Sequence, residues 1–168
     1  TEIERQMGWV TQPRAVAAAP LEQRRFDFYR LQRQVPAITE ISYIDPAGRE
    51  QVRVSRLAMD VFGSQADLSA DPRFTKARAR RLYRGPVYFR KESEPYMAIA
   101  IAEGGQGGGV TAAEVNLKFI WDVVSQIKVG KAGQAFVVDG QGALIAHPDI
   151  SLVLQKTDLS RLDHVKAA

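Results

Sequence analysis

One short pattern occurs twice in this chain of 168 residues, first around Asp45 and again around Asp139. Each copy, at 41–48 and 135–142, has a β-prone run, an Asp, two turn residues and a Gly. In such a turn the Asp carboxylate accepts hydrogen bonds from backbone amides, and the Gly adopts the positive φ that the exit requires. The pattern therefore predicts two β-hairpins that open two similar modules in series. Because few residues follow the second copy, we expect the second module to be cut short.

The composition is typical of a globular domain with an apolar core, at 45% hydrophobic and 25% charged residues. The chain has no cysteine, which excludes disulfides, thiolate metal sites and cysteine nucleophiles. No apolar stretch approaches the ~18 residues that span a bilayer, and the first residues do not form a signal peptide. We expect either a soluble protein or a receptor fragment without its membrane segments. The net charge of +4 permits acidic partners without requiring them.

Periodicity predicts an antiparallel α+β fold with a long N-terminal helical segment. Pro13 and Pro20 interrupt this segment, and Pro36 ends it. Hairpin-linked strands follow, with helices at their edges. The predicted strands span 38–45, 50–57, 85–91, 96–103, 110–117, 134–139 and 143–146, and the predicted helices span 73–82, 119–127 and 150–168. The sequence Ser-Ala-Asp-Pro at 69–72 predicts a cap for the helix 73–82. Alternation of apolar and polar residues at 52–55 predicts one buried and one exposed face for the second strand.

The residues of chemical interest each have a plain structural explanation. The basic run 76–84 has no accompanying nucleic-acid motif, so we interpret it as a solvated helix face and expect no nucleic acid partner. Tyr83, Tyr88 and Tyr96 are placed to line a ligand site, or they are half-buried strand aromatics. His147 lacks further ligands nearby, so we predict a local hydrogen bond and no metal. Neither a phosphate-binding glycine loop nor a hydrolytic triad is present, and we expect no cofactor and no catalytic residue.

Four segments, taken in order, carry a likeness to a known family. They are the first hairpin at 38–54, the segment 85–100, the closing strand 109–117, and the stretch 130–149. Together they resemble the extracytoplasmic Cache (PAS-like) sensor domains of bacterial receptors, in the double-Cache form. The last segment matches most specifically. The resemblance implies an N-terminal helical segment at 1–35, a membrane-distal sensor module at 36–128, and the start of a membrane-proximal module at 129–168.

Such domains sit outside the cytoplasmic membrane, bind a small molecule in the membrane-distal unit, and signal through helices. The resemblance thus implies a periplasmic, non-catalytic sensor, whose partners are a small-molecule ligand, its own transmembrane helices and a cytoplasmic output domain. A histidine kinase is the favoured output, with a nucleotide or diguanylate cyclase or a chemotaxis receptor as alternatives. A different class, a small α+β enzyme or nucleic-acid-binding domain, stays open. The apolar residues of the N-terminal helix also allow a homodimer.

The resemblance also indicates where a ligand would bind. The amino-acid-binding branch of the family uses an Arg-x-Trp-Tyr motif, but the matching stretch 71–74 lacks the Trp, and Glu114 stands where an Asp holds the amine. The same stretch also lacks the Arg of the motif that clamps the ligand carboxylate. This departure argues against an α-amino acid, and Arg73, Arg84 and Arg90 favour a small organic anion. The candidate ligand-binding residues are Arg73, Phe74, Tyr83, Tyr88, Arg90, Ser93, Tyr96 and Glu114.

Overall fold

The computed structural model describes residues 2–11, 21–91, 94–104, 108–129, 133–138, 141–155 and 157–166. The chain divides into two compact units. The first unit comprises Thr1–Gly85 and Met97–Val115, and the second comprises Pro86–Tyr96 and Asn116–Ala168.

Helices and strands alternate in the α+β pattern that the sequence predicts. The helices are α1 (Glu2–Thr11), α2 (Leu21–Gln34), α3 (Pro72–Arg80), α4 (Lys118–Gln126), α5 (Ile150–Leu154) and α6 (Asp163–Lys166). The strands are β1 (Ile38–Ile44), β2 (Glu50–Ser55), β3 (Val61–Phe62), β4 (Leu82–Arg84), β5 (Tyr88–Arg90), β6 (Glu94–Ala102), β7 (Val110–Asn116), β8 (Lys128–Val129), β9 (Gly133–Gln134), β10 (Val137–Val138) and β11 (Leu144–Ala146).

Three details differ from the sequence prediction. The strand expected at 85–91 is the shorter β5, and β4 precedes Pro86 and begins at Leu82, where the helix 73–82 was expected to end. The short strands β3 and β8 were not predicted, since two-residue strands leave no periodicity to detect, and the strand expected at 134–139 contains two short strands, β9 and β10. The tail predicted as one helix contains α5, α6 and an intervening segment whose Leu159 N–H donates to the Gly142 carbonyl at 2.8 Å.

The main sheet is antiparallel and has β1 near its centre, in the order β3-β2-β1-β7-β6-β4, with β5 paired to β6. The side chains of Ile41, Ile44, Val52 and Val110 are fully buried, as the apolar runs of β1, β2 and β7 predict. Helix α2 contributes its own buried residues to the first unit, which are Phe28 and Leu31.

An ion pair also holds helix α2 to the sheet. Both Nη atoms of Arg24 donate to the Glu103 carboxylate at 2.7 Å, and the Thr111 hydroxyl donates to the same carboxylate at 2.6 Å. The guanidinium carbon of Arg24 lies 3.7 Å from the centroid of the Tyr43 ring. The two charged side chains are each only 13% exposed. Because the pair is bidentate and largely removed from water, it fixes the position of α2 better than a surface ion pair would.

The first Asp-x-x-Gly turn has the predicted chemistry. The Asp45 carboxylate accepts hydrogen bonds from the backbone amides of Ala47 and Arg49, both at 2.9 Å. Gly48 has a φ of +81°, and a side chain there would bring its Cβ to 2.7 Å from the Cα of Ser69. The Gly48 carbonyl accepts from the Leu68 N–H at 2.7 Å. This turn therefore needs glycine for its backbone conformation and also for the close approach of a second segment.

The second copy of the turn has the same surroundings, although its Asp139 lies outside the described residues. Gly142 has a φ of +84°, and a Cβ there would lie 2.5 Å from the Cα of Ser160. The segment that packs on each glycine has the same sequence, Asp-Leu-Ser, at 67–69 and at 158–160. In each segment the Asp carboxylate accepts from the Ser N–H, at 3.0 Å and 2.8 Å respectively. The duplication therefore extends beyond the turn to the segment that covers it.

Helix α1 is attached to β4 by a second ion pair. The Arg84 guanidinium donates through Nε and Nη2 to the Glu4 carboxylate, with the Nη2 bond at 2.9 Å. These hydrogen bonds from Arg84 lower the pKa of Glu4 from 4.5 to about 2. Met7, one turn further along α1, is fully buried.

The glycine turn gives the first prediction. Replacing Gly48 with Ala should lower the free energy of unfolding by about 2–4 kcal/mol, because the methyl group meets Ser69 and an L-residue resists this φ. Gly63 is the matched control, since it also has a positive φ, +56°, but nothing within 4 Å of its Cβ position. Gly63→Ala should cost only ~1 kcal/mol. Urea unfolding of both variants measures the difference, and equal losses would show that the Ser69 contact is unimportant.

The Glu4–Arg84 pair gives a prediction on pH. The folded-state pKa of Glu4 is depressed, so its contribution to stability is present above about pH 4.5 and is lost as the pH falls towards 2. Because the Arg84 side chain is 54% exposed, solvent screening limits this contribution to ~1 kcal/mol. Glu4→Gln should therefore be less stable than the wild type at pH 6, and the two should converge near pH 2. Chemical unfolding across this range tests it, and a difference that is constant with pH would contradict it.

Candidate functional site

The predicted ligand-binding residues fall into two clusters, one in each compact unit. Arg73, Phe74, Tyr83 and Glu114 belong to the first unit, and Tyr88, Arg90 and Tyr96 belong to the second. Ser93 lies outside the described residues.

Helix α3 positions Arg73 at the start of its first turn. Asp71 is the N-cap residue, with an extended backbone, and its carboxylate accepts from the Arg73 N–H at 2.7 Å. Pro72 follows it in the first turn, where the missing N–H has no helical partner to lose. The cap that the sequence Ser-Ala-Asp-Pro predicts is therefore confirmed, and it places the Arg73 side chain beside the carboxylate that caps the helix.

The Arg73 guanidinium contacts two carboxylates. Nη2 donates to Asp71 Oδ2 at 2.8 Å, and Nη1 donates to Glu114 Oε1 at 3.2 Å on strand β7. Glu114 is 7% exposed, and its cross-strand partner on β1 is another acid, Glu40. Like charges on directly opposite residues repel, so a nearby cation is required to offset them. Arg73 thus serves as the internal counter-ion of this group of acids.

The pKa shifts agree with this assignment. Hydrogen bonds to Asp71, assisted by the charges of Glu114 and Glu40, hold the pKa of Arg73 above its ordinary value. Burial alone would raise the pKa of Asp71, but the hydrogen bonds from Arg73 outweigh it and hold that pKa below its usual range. Arg73 therefore interacts with all three acids of this group.

The two aromatic residues of this cluster differ in exposure. Phe74 is 5% exposed and packs with Ile44, Ala77 and Val110 in the core of the first unit. Tyr83 is half-buried against the same core, and the Lys76 ammonium lies 5.3 Å from its ring centroid. Phe74 therefore anchors α3 to the sheet, whereas Tyr83 retains partial contact with solvent.

The cluster of the second unit is built on the antiparallel pairing of β5 with the start of β6. This pairing places Tyr88 opposite Tyr96, with ring centroids 6.0 Å apart. The Arg90 guanidinium carbon lies 4.6 Å from the Tyr96 ring centroid. The Nη2 atom of Arg90 donates to the Tyr88 hydroxyl at 3.3 Å. Tyr88 is 37% exposed and Tyr96 is 1% exposed. The half-buried Arg90 is thus held on aromatic faces, where an ionised guanidinium is favoured.

Asn116 joins this cluster, and the sequence interpretation did not select it. Its side-chain amide donates to the Tyr96 hydroxyl at 3.2 Å, and its Oδ1 accepts from the Lys118 N–H at 2.8 Å. The second contact is a local side-chain to backbone hydrogen bond at the entry to α4, whose N-cap residue is Leu117. A β-strand ending on Asn shortly before an amphipathic helix was the available signal.

Two further side chains that the sequence analysis singled out, Arg84 and His147, have partners within the chain. Arg84, which was counted among the cations favouring an anion, is paired with Glu4. His147 Nδ1 accepts from the Asp149 N–H at 2.9 Å, so the predicted local bond is confirmed. Within the described ranges, no three His, Asp or Glu side chains are grouped so that they could hold a metal ion. Among the same residues, no helix is both long enough and apolar enough to span a bilayer.

Comparison with known proteins gives one curated relative and several solved structures. No protein-family model matches the sequence. The methyl-accepting chemotaxis protein PctB of Pseudomonas aeruginosa is 32% identical over 74 residues, which cover 38% of this chain. The chain spans only 12% of the length of that protein.

The solved structures are similar over nearly the whole chain. The sensory domain of the Campylobacter jejuni chemoreceptor Tlp3 with isoleucine bound has a TM-score of 0.69 at 12% identity, covering 99% of this chain and 69% of that one. The ligand-binding domain of the Pseudomonas aeruginosa amino acid chemoreceptor PctC, in complex with GABA, has a TM-score of 0.62 at 21% identity, with coverage of 92% and 70%.

A third structure is the extracellular domain of mmHK1S-Z2, named as a proposed histidine kinase. Its TM-score is 0.65 at 18% identity, and the match covers 87% of this chain and 65% of that one. These structures are the sensory or ligand-binding domains of two chemoreceptors and the extracellular domain of a proposed histidine kinase. The chain therefore shares its antiparallel α+β fold with these domains, and it is the PAS-like fold that the segments 38–54, 85–100, 109–117 and 130–149 predict.

Proposed function

We propose that this chain is the extracytoplasmic ligand-sensing domain of a membrane-bound signal-transduction receptor, with a histidine kinase as its output. The observation that carries the proposal is the similarity of 87–99% of the chain to two solved structures. One is a chemoreceptor sensory domain with isoleucine bound, and the other is the extracellular domain of a proposed histidine kinase. A ligand can drive such a receptor only by binding one conformation of the domain more tightly than another.

The duplicated turn supports the proposed order of modules, with a sensor module at 36–128 and a second module that begins at 129. Gly48 and Gly142 share the same positive φ and the same covering Asp-Leu-Ser segment. The two turns share a backbone conformation and a tertiary contact as well as their turn residues. This likeness indicates a repeated module more specifically than the turn residues would alone. We infer that the stretch after 129 repeats the opening of the first module.

A chemotaxis receptor is the second candidate output. The identity of 32% with PctB over 74 residues favours it, and a sensor domain by itself does not determine which output follows. A nucleotide or diguanylate cyclase output is compatible with the same sensor fold.

For the ligand, we propose a small organic anion held by Arg90 and Tyr88. Arg73 and Arg84 contact carboxylates of the same chain. Arg90 lies on two tyrosine rings, and the hydroxyl of the partly exposed Tyr88 is beside it. Guanidinium and phenol donors together suit a carboxylate.

Substituting Arg90 and Arg73 one at a time distinguishes an arginine that binds the ligand from one that stabilises the fold. Arg90→Gln should weaken binding of an organic acid at least ~10-fold, which corresponds to the loss of one charge-assisted hydrogen bond, with little change in stability. Arg73→Gln should lower the free energy of unfolding by about 2–4 kcal/mol, since it leaves the buried Glu114 without its counter-ion. Calorimetric titration with a panel of organic acids and amino acids, together with urea unfolding, gives both values.

Arg33→Gln on the exposed face of α2 is the matched control, and it should change neither quantity. Binding of amino acids alone would contradict the organic anion, while leaving the sensor proposal intact. An effect of Arg73→Gln on affinity with no effect on stability would contradict its assignment as a structural counter-ion.

A further inference from the structure

The strand β5 has two faces with different surroundings. It pairs with the start of β6, where Tyr88 lies opposite Tyr96 and Phe89 lies opposite Pro95. Successive side chains of a strand point to opposite faces of the sheet. Tyr88 and Arg90 are therefore on the face of Tyr96, where they form the cluster described above. Phe89, which lies between them in sequence, is on the other face.

Phe89 packs against the apolar core of the second unit. The buried members of this core come from α4, β11 and α5, and they are Val124, Leu144, Ala146 and Val153. Of the described residues that pack together here, Phe89 alone comes from the segment Pro86–Tyr96, and the others lie between 120 and 159. The segment and these elements belong to the same compact unit. One half-buried ring thus joins β5 to α4, β11 and α5.

The two strands of this hairpin are held differently. Two hydrogen bonds tie the start of β6 to the entry of α4. The Leu117 N–H donates to the Pro95 carbonyl at 2.8 Å, and the Asn116 amide donates to the Tyr96 hydroxyl at 3.2 Å. Among the strands that the structure describes, β5 pairs with β6 alone. A change in the contacts of this hairpin therefore moves β5 more readily than β6, and the Phe89 ring moves with β5.

We propose that Phe89 couples the Arg90–Tyr88 cluster to the packing of the core of the second unit. The proposal rests on the proposed function, because it gives the ligand residues a route to α4. Protein interiors are close-packed, so displacement of one ring requires the neighbouring side chains to repack. Coupling between two sites is also reciprocal, so a change in the packing of the core alters the free energy of binding at the cluster.

Methyl NMR on the 168-residue chain tests the coupling without a ligand. Arg90→Gln should shift the methyl resonances of Leu144 and Val153, because it releases β5 from the Tyr96 ring. The same substitution in a Phe89→Leu background should leave these resonances in place. Unchanged resonances when Phe89 is present, or equal shifts with and without it, would overturn the proposal.

Two control variants separate coupling from loss of packing. Phe136→Leu is matched to Phe89→Leu, since Phe136 packs against the same core but is not on β5. Each should lower the melting temperature by about 2–6 °C. In the Phe136→Leu background Arg90→Gln should still shift the methyl resonances, and loss of the response there would overturn the specific role of Phe89. Tyr96→Phe removes the hydrogen bond from Asn116 and should also keep the response. Loss of the response in this variant would assign the coupling to that bond instead.

Titration with succinate and with citrate extends the test to the ligand. An acid that binds the wild type should shift the Leu144 and Val153 methyl resonances. Phe89→Leu should bind the same acid ~2–3-fold more tightly, because binding no longer has to repack the core, and it should lose the shift. Weaker binding with the shift retained is the result of a purely structural role, and it would overturn the coupling. If neither acid binds the wild type, the proposed ligand is contradicted, and the comparison without ligand decides the coupling by itself.

Discussion

The rest of the first unit depends on one close contact, in which the segment 67–69 packs against Gly48. Gly48 has a positive φ. Gly48 closes the hairpin of β1 and β2, and β1 then pairs with β7 on its other side. The same glycine accepts the 67–69 segment at a distance that admits no Cβ, so the chain after β2 is held against the hairpin before it enters α3. Helix α3 in turn brings Arg73 to the acids on β1 and β7. The closure of the first hairpin and the position of Arg73 thus follow from one turn.

Arginine has several distinct roles in this chain, and its environment determines which role each one has. Arg24 joins α2 to the sheet through a bidentate pair with Glu103, and Arg84 joins α1 to β4 through Glu4. Arg73 offsets the negative charge of Glu114 and Glu40, which the pairing of β1 with β7 places opposite each other. Arg90 lies on tyrosine rings, whereas Arg80 and Arg81 are exposed. The presence of an arginine in the sequence therefore does not show that its charge is available to a ligand, because Arg24, Arg73 and Arg84 are already paired with acids.

Much of the fold could be predicted from local patterns. The turn residues predicted the first hairpin, alternation in β2 predicted which face is buried, and Asp71-Pro72 predicted the start of α3. These features are encoded by residues close together in sequence. The strands β3 and β8 could not be predicted, since their two-residue length depends on a neighbouring segment rather than on their own side chains. The strand β4 was missed because the residues from Arg73 to Leu82 were interpreted as one helix.

The candidate site shows the same division between local and tertiary information. The sequence by itself determined the fold class, the paired turns, the capping of α3 and the presence of arginine and tyrosine in the segment 73–96. Tertiary structure decided which of those arginines are already neutralised, because Glu4, Glu103 and Glu114 are distant in sequence and become partners only when strands and helices pack. It also decided that Phe74 is a core residue and that Asp-Leu-Ser covers each glycine turn. Charge in a sequence is a property of residues, but the charge available to a ligand is a property of their neighbours in space.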